Sequence, residues 1–503
     1  MAFFPFLRTM VPSCPPQAGE EPTHLTADSR CVQKQSVFAA LSRAKQERPQ
    51  HIAQALEAGA TWIVAAPDDY AQFSRETPPA SPTILSHRGV QFILTEEPHR
   101  FWALLAAAFY GKPPATCVAV TGTNGKSSVV DFTRQIWTLL GKSAASMGTL
   151  GVKVGRSPAE ARSPLTTPDP VTLHAELSRL AQEEHVECCA LEASSHGLDQ
   201  HRLDGVHLSA AAFTQLSQDH LDYHQTMAAY FDAKKILFET VLPPSGSCVL
   251  NADIPECAAL HHIASSCGLQ VLTYGQHAQS MVLHSLTPEA RGQRFHGTIL
   301  GKEVDWLIPL LGAFQVENVL CAMGLVLASG TPLEELLSLF PSSKELPIQG
   351  VPGRLEMLEK AGKTAIIDYA HTPDALEKAL RAVRLHTKGR LFLVFGCGGN
   401  RDAEKRPLMG NIAEQRSDKV FLTDDNPREE DPAVIRQQMR AGMTGRVPIR
   451  EIGDRREAIA AALKEANAED CVLIAGKGHE KTQCVSGKML PFSDQEVVQE
   501  VLG

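Results

Sequence analysis

No two of the twelve cysteines form a C-x-x-C pair, and only Cys188 and Cys189 are adjacent. That scatter speaks against a zinc site and a disulfide framework, and for a reducing compartment, the cytoplasm. The chain also lacks any apolar run long enough to span a bilayer, so no membrane insertion is expected. Its start, MAFFPFLRTM, lacks a basic n-region and is interrupted by Pro5 and Arg8. It reads as a short extension without function rather than a signal peptide. There is no basic excess: 48 Lys and Arg stand against 57 Asp and Glu, for a net charge of −9. A nucleic-acid partner therefore has no electrostatic support. Repeats, heptads and low-complexity segments are missing. So are a Ser-His-Asp order and a nucleophilic cysteine context, which leaves covalent hydrolase chemistry unsupported.

What is present is ordinary for a folded enzyme: 43% apolar and 21% charged residues over 503 positions, enough for about three domains. The chain is organised around Thr121-Gly122-Thr123-Asn124-Gly125-Lys126-Ser127-Ser128. An apolar run, Thr116 to Val120, precedes it and reads as a buried strand. Val129, Val130, Ile136, Trp137 and Leu140 follow at helical spacing, and Gly141 supplies a stop. A strand, a Gly-rich turn and a helix starting at Lys-Ser form a phosphate cradle. Glycines let backbone N–H groups reach phosphate oxygens, and the helix N-terminus adds favourable partial charge. Lys126 can bridge the β- and γ-phosphates of ATP, and Ser127 can reach Mg²⁺. The pattern departs from G-x-x-x-x-G-K-[ST], because Val120 occupies the first glycine position.

Two proline-rich stretches, Tyr110 to Thr116 and Pro341 to Gly353, read as linkers. They divide the chain into a small N-terminal α/β domain (1–112), a central domain with a parallel sheet (113–345) and a C-terminal domain (346–503). In the first, a helix from His51, a stop at Gly59 and a strand at Thr61 to Ala65 are expected. Asp28-Ser29-Arg30 reads, on its own, as a turn with a solvated ion pair. In the second, Glu187 to Glu192 reads as a buried strand. Glu192, at its carboxyl end beside a phosphate loop, is a natural Mg²⁺ ligand. Asp219-His220-Leu221-Asp222-Tyr223-His224 is dense in ligand types. It reads equally as a polar loop capping a helix from about Thr226. An Ala- and Leu-rich helix is expected from about Val319 to Ser329. In the third, apolar runs at Thr364–Ile367, Leu391–Phe395, Val420–Thr423 and Val472–Ala475 alternate with helical patterns. These include Asp374 to Leu385 and Ala433 to Met443. That alternation predicts a doubly wound, Rossmann-like parallel sheet, with ligands beyond the carboxyl ends of its strands. The loops there are Asp368 to Asp374, Gly396 to Asp402 with Lys405 and Arg406, Asp424 to Arg428, and Gly476 to Glu480. Four polar, Gly-rich loops on one edge point to a site. The residues alone thus predict an ATP–Mg²⁺ enzyme, a nucleotide domain flanked by two α/β domains.

The set TGTNGKSS, EASSHGLDQHRL, DHLDYH, Y-x-x-A-K-x-x-L-F, GAFQVEN, VPGRLE, DYAHTPDAL, FGCGGNRDAEKRPLM, DNPR and AGKGHE resembles the Mur ligases of peptidoglycan synthesis. The resemblance runs from Asp28 to the C-terminus. Among these ligases the DNPR signature is similar to that of the enzymes that add meso-diaminopimelate. The family's reaction is ATP-dependent. It phosphorylates the D-glutamyl γ-carboxylate of UDP-N-acetylmuramoyl-L-alanyl-D-glutamate, and an amino acid's amine then attacks the acyl phosphate to form an amide. By resemblance, Gly122, Thr123, Asn124, Gly125, Lys126, Ser127, Ser128, Asn318, Arg354 and Asp368 contact ATP, with His371 near phosphate. Ser127 and Glu192 resemble ligands of one Mg²⁺; His220 and Lys234 resemble those of a second, Lys234 being carbamylated. Lys126, Glu192, His220 and Lys234 form the implied catalytic set. Ser29 looks like the uridine-side contact, and Thr166, Thr167, Ser194, Gln200 and Arg202 like contacts to the muramoyl-dipeptide. Arg401, Asp425, Asn426, Pro427, Arg428, Gly476 and Glu480 look like the diaminopimelate site. Gln315 stands where the family usually has Asn. A monomer is expected. A lysine-adding sister enzyme, a folylpolyglutamate synthetase-like ligase and a simple ATPase are the alternatives. Arg428 separates the first; the second lacks the EASSHGL…DHLDYH and DNPR set; the third leaves four C-terminal loops unexplained.

Overall fold

A computed structural model describes residues 3–11, 14, 21–77, 81–157, 165–289, 292–340, 345–360 and 362–503. Among the described residues three large sheets follow one another along the chain, and a two-stranded hairpin, Thr482–Val485 with Lys488–Pro491, comes after the last. The first has five strands in the spatial order His24–Thr26, Ser36–Ala39, Trp62–Ala65, Val90–Leu94 and Thr83–His87. The first four are parallel, and the last pairs antiparallel through a hairpin. The expected helix before Gly59 spans Arg48–Glu57, and its strand spans Trp62–Ala65.

The start of the chain departs from its reading as a functionless extension; its residues 1 and 2 lie outside the described residues. Phe3–Met10 is a helix whose Phe3 and Leu7 are fully buried. The Phe3 ring meets Trp62 edge-on at 5.2 Å between centroids, and both belong to the core holding Phe101 and Leu105. The apolar residues recur at helical spacing, so a helix here has a face to bury.

The second sheet has ten strands. Its middle runs Ser247–Asn251, Leu208–Phe213, Thr116–Thr121, Cys188–Glu192 and Ala144–Gly148, all parallel. Each of these five is apolar and largely buried, as strands covered on both faces must be. Helices Lys126–Leu139 and Ala313–Ala328 cover one face; Pro170–Gln182, Met227–Ile236 and Cys257–Ser266 help cover the other. Antiparallel strands extend the sheet at both edges: Gly151–Val154 on one, and Gly292–Ile299 with Lys302–Ile308 on the other. The parallel reading therefore holds for the middle only. The 313–328 helix begins six residues before its expected start at Val319, and so carries Gln315 and Asn318 on its first turns.

The third sheet has the order Glu356–Lys360, Lys363–Asp368, Cys471–Ala475, Leu391–Phe395, Lys419–Leu422 and Ile449–Glu451. All its pairings are parallel except the first. Helices Pro373–His386, Lys405–Arg416 and Pro432–Ala441 lie on one face, and Arg455–Glu465 with Asp494–Leu502 on the other. Cys471–Ala475, the last of this sheet's strands in chain order, sits between Lys363–Asp368 and Leu391–Phe395, so chain direction across the sheet reverses there. Crevices form at such switch points. Of the two predicted linkers, 111–115 is irregular, and residues 345–353 are irregular apart from a bridge at Glu345; 341–344 lie outside the described residues.

Candidate active site

The carboxyl ends of the central sheet face the carboxyl-end loops of the third sheet, and the candidate residues collect in the crevice between them. On the central side the chain leaves strand Thr116–Thr121 into the predicted loop. Gly122 has φ +137°, and a Cβ there would stand 2.0 Å from Thr214 Oγ1. Only glycine allows that approach. Thr214 closes the loop by donating to Asn124 O at 2.6 Å, and Thr123 Oγ1 donates to Ser217 O at 3.1 Å. Gly125 has φ +91° and starts helix Lys126–Leu139. Ser127 and Ser128 occupy its first turn.

Lys126 Nζ donates to Gly122 O (3.0 Å) and Thr123 O (2.8 Å), folded back on its own loop. Burial lowers its pKa, while the Glu192 and Asp219 charges oppose that shift. Lys234 is 1% exposed. Its Nζ donates to Gly122 O at 2.8 Å and lies 4.3 Å from the centre of the Tyr230 ring, without a carboxylate partner among the described residues. Burial, reinforced by the Lys126 charge, drives its pKa well below the usual lysine value. Lys235, by contrast, pairs with Asp232 at 2.6 Å. Of the two lysines, Lys234 is thus the one directed at the phosphate loop.

Glu192 ends its strand 3% exposed, accepting hydrogen bonds from Thr149 N (2.8 Å) and Thr149 Oγ1 (3.2 Å). His220 adopts φ +54° and caps the short helix Leu221–His224. Its Nε2 is 3.4 Å from Asp219 Oδ2. Desolvation lowers the imidazole's pKa to about 4 against the pull of Asp219. Asp219 also faces His371 Nε2 at 3.8 Å. Burial works to raise its carboxyl, but His371, His220 and Lys405 prevail and hold it below the ordinary value.

A cavity of about 270 Å³ opens beside the loop, lined among others by Asn124, Gly125, Ser128, Asn318, Arg354 and Asp368. Those are six of the ten positions expected to contact ATP. Gln315, the departure from the usual Asn, has a definite task. Its Oε1 accepts from Asn318 Nδ2 at 3.0 Å and its Nε2 donates to Arg354 O at 3.3 Å. Arg354 crosses between the sheets, donating from Nη2 to Ser127 Oγ at 3.2 Å while its guanidinium covers the Tyr369 ring at 4.6 Å. Asp368 accepts from Leu355 N and Ala370 N, which fixes both loops.

The expected dipeptide contacts form a connected network. Thr167 Oγ1 donates to Glu192 O at 2.8 Å and accepts from Ser194 N and Oγ. Arg202 donates to Thr167 O (2.6 Å) and Gln200 Oε1 (2.7 Å), and Thr166 Oγ1 is 3.1 Å from Thr149 Oγ1. Ser29 is not brought into it: its hydroxyl donates to Gln54 on the first domain. Beside Ser29, Arg30 and Asp28 form the solvated ion pair that the bare sequence suggests, at 2.7 Å with Arg30 86% exposed.

The third sheet gathers the remaining set. Asp425 and Asn426 are buried. Gly476, φ +117°, lets Asp425 Oδ2 come within 2.5 Å of where a Cβ would be. Asn426 Nδ2 donates to Glu480 Oε2 at 2.9 Å. Arg428 (φ +53°) donates from Nη1 to Gly399 O at 2.7 Å and, among the described residues, has no carboxylate partner. Gly398 makes room for it: a Cβ there would stand 2.8 Å from Arg428 Nη1. Arg401 lies exposed on the same loop.

Several members were not singled out in the sequence. Thr214, Asn251, Tyr274 and Glu317 line the cavity or brace the loop, and Arg43 of the first domain stacks on Tyr223 at 4.1 Å. Thr214 and Asn251 lie at the carboxyl ends of parallel strands, so the strand-end rule could have found them.

A phosphate loop, two inward-facing lysines and a cavity closed by a second α/β sheet define a nucleotide-using enzyme of the phosphate-loop class. Residues 120–326 match the Mur ligase middle domain, and 353–478 the Mur ligase glutamate ligase domain. A Bradyrhizobium diazoefficiens protein named UDP-N-acetylmuramoyl-L-alanyl-D-glutamate–2,6-diaminopimelate ligase is 44% identical over 97% of this chain and 96% of its own length. A Caulobacter vibrioides protein of the same name is 45% identical, over 95% of each chain. A solved structure of a ligase with that name superposes with a TM-score of 0.65 at 31% identity, over 96% of this chain and 94% of the other. The MurF ligase of Thermotoga maritima, solved with ADP, shares the fold at 16% identity, with a TM-score of 0.60 over 97% of this chain and 98% of its own. The chain belongs to the Mur ligase family, and it is a ligase. Among the described residues no helix is long and apolar enough to cross a membrane.

Proposed function

We propose that the protein is the ATP-dependent ligase that joins meso-2,6-diaminopimelate to the D-glutamyl γ-carboxylate of UDP-N-acetylmuramoyl-L-alanyl-D-glutamate. The observation that carries the amino-acid assignment is Arg428. Its guanidinium is half-buried among Gly398, Gly399 and Asn426 and, among the described residues, has no carboxylate to pair with. Diaminopimelate differs from L-lysine by a distal carboxylate, and a guanidinium holds a carboxylate through two parallel hydrogen bonds. With lysine the guanidinium would stay unpaired beside an ammonium, at a cost of about 1–3 kcal/mol or more. Arg401, Asn426, Gly476 and Glu480 complete this pocket, Glu480 accepting from the distal ammonium.

A carboxylate resists amine attack until one of its oxygens leaves as phosphate. The γ-phosphoryl group of ATP is therefore transferred to the γ-carboxylate. The free amine then attacks the acyl carbon, phosphate departs with the original carboxylate oxygen, and the nitrogen gives up one proton and keeps the other as the amide N–H. Several negative charges converge in the first step, so cations and backbone donors must offset them. Lys126 exchanges the carbonyls of Gly122 and Thr123 for phosphate oxygens. Asn124, Ser128, Asn318, Arg354 and Asp368 orient the nucleotide, with Gln315 holding Asn318. Thr166, Thr167, Ser194, Gln200 and Arg202 orient the dipeptide end, and Ser29 lies toward the uridine end on the first domain. The acyl phosphate is sensitive to water, which a closed arrangement of the three domains excludes.

The donor set suits Mg²⁺. Glu192 is a buried carboxylate without a salt bridge, and Lys234 is a buried amine whose lowered pKa leaves it nucleophilic toward CO₂. The carbamate so formed is an anionic oxygen donor of the kind a hard cation takes. Ser127 and Glu192 would hold one ion, and His220 with carbamylated Lys234 another. Bound there, Mg²⁺ would neutralise phosphate and acyl-phosphate charge. The reaction belongs in the cytoplasm.

ATP-dependent phosphate release with the UDP-linked dipeptide tests the reading. Release with meso-diaminopimelate and not with L-lysine, and a rise of about ten-fold or more in KM for diaminopimelate in Arg428→Ala, is expected. Equal turnover with lysine would refute the amino-acid assignment, and no turnover with either would refute the ligase substrate.

A further inference from the structure

Lys477 lies in the loop after strand Cys471–Ala475, one residue from Gly476, and its side chain is fully buried. Its Nζ donates to Glu480 Oε2 at 2.9 Å and to Asn426 Oδ1 at 3.1 Å. Asn426 Nδ2 donates to the same Glu480 Oε2 at 2.9 Å, and Asn426 Oδ1 also accepts from Cys484 N. The three side chains close a triangle. Both bonds to Glu480 fall on Oε2, and among the described residues none falls on Oε1. The Glu480 side chain keeps 29% exposure. Asp425, buried beside it, has an Oδ2 with no partner. The two carboxyls repel, and the Lys477 ammonium, which acts on both, offsets that repulsion. Burial and Glu480 raise the Asp425 pKa while Lys477 and Arg455 lower it; Glu480 is held below its ordinary value, burial notwithstanding, by Lys477 and Asn426.

Resting on the reading that Glu480 receives the distal ammonium of the amino acid, we infer that Lys477 is a positioning residue for that substrate. It pins Glu480 and Asn426 in one arrangement, leaving a single pre-oriented oxygen for the incoming ammonium. It does not touch the reacting atoms. An unpinned glutamate would have to surrender side-chain freedom on binding, and affinity would fall. Lysine suits the task because its compact ammonium reaches an amide and a carboxylate at once, where a planar guanidinium would need more room.

The test uses the full chain with Lys477→Met and Lys477→Arg, each also in the Glu480→Gln background. For Lys477→Met the KM for diaminopimelate is expected to rise about ten-fold or more, the worth of lost hydrogen bonds to a charged group. kcat at saturation should change less than about three-fold, because binding made equally in the ground and transition states raises KM alone when it is lost, and ADP affinity by calorimetry should not change. Lys477→Arg keeps the charge and should recover part of the loss. In the Glu480→Gln background Lys477→Met should add little, since residues that act through one another are not additive. Three results would overturn the inference: an unchanged KM, a full additive loss on top of Glu480→Gln, or a joint collapse of melting temperature and ADP binding that marks Lys477 as merely structural. Native enzyme is the control. If it does not turn over diaminopimelate, the substrate reading has failed, and the same variants are read with the amino acid it does accept.

Discussion

Gly122 has no room for a methyl group. Its φ is +137°, and the hydroxyl of Thr214 stands where a Cβ would be. Gly122→Ala must push strand-end Thr214 away from Asn124 and Thr121, or twist the loop. Either disorders the backbone donors that a phosphate needs. The expected outcome is a drop in ADP affinity of at least about ten-fold by calorimetry, with a melting temperature lowered by only a few degrees. Wild-type affinity in that variant would show that the loop does not cradle phosphate. At this scale the sequence is legible in part. Gly122, Lys126 and Ser127 announce themselves because a phosphate loop is local, with strand, turn and helix start close together in the chain, and Glu192 because it ends an apolar strand. Thr214 does not, because it reaches the loop across 90 residues of chain. Gln315 looked like an imperfect match to a motif. Its amide proves to hold Asn318 and the Arg354 carbonyl, contacts that only the folded chain brings together.

Elements were legible where a period or a cap marked them. The parallel strands of the third sheet and the helices between them agree with their apolar runs to within a few residues, because strands buried on both faces read as continuous apolar stretches. The strands Met281–Glu289, Gly292–Ile299 and Lys302–Ile308 did not, because polar residues interspersed along each mask the pattern. The helix Phe3–Met10 was missed for a different reason. Pro5 lies in its first turn, where proline is tolerated, and its partners Trp62 and Phe101 are far along the chain. Leu7 is fully buried there. Leu7→Ala is therefore expected to destabilise the protein by about 2–5 kcal/mol in urea unfolding of the first domain. A change below about 0.5 kcal/mol would mean the helix is not docked in solution.

Across the whole molecule, the candidate site belongs to no single sheet. Asp374 accepts from Asn124 Nδ2 and Gln215 Nε2, both at 3.4 Å, and Gln218 reaches Asp402 at 3.3 Å. These contacts hold the third sheet's loops over the phosphate loop. Asp374→Ala should weaken that docked arrangement by about 1 kcal/mol. It should raise KM for ATP several-fold and increase the radius of gyration in solution scattering. An unchanged radius and KM would assign the docking to other contacts. Which loops meet could not be read from the sequence, because nothing in a linker's composition sets the angle between the sheets it joins. What the sequence did provide was the chemistry of each edge: a phosphate cradle on one, and a guanidinium, Arg428, with a carboxylate, Glu480, on the other.

The central claim is that amide formation passes through phosphorylation of the D-glutamyl γ-carboxylate. Its most direct test labels both oxygens of that carboxylate with heavy oxygen and follows the label by mass spectrometry during turnover with ATP and diaminopimelate. One labelled oxygen is expected in each phosphate released, and the other in the new amide carbonyl. Phosphate free of label, with amide formed, would contradict the account.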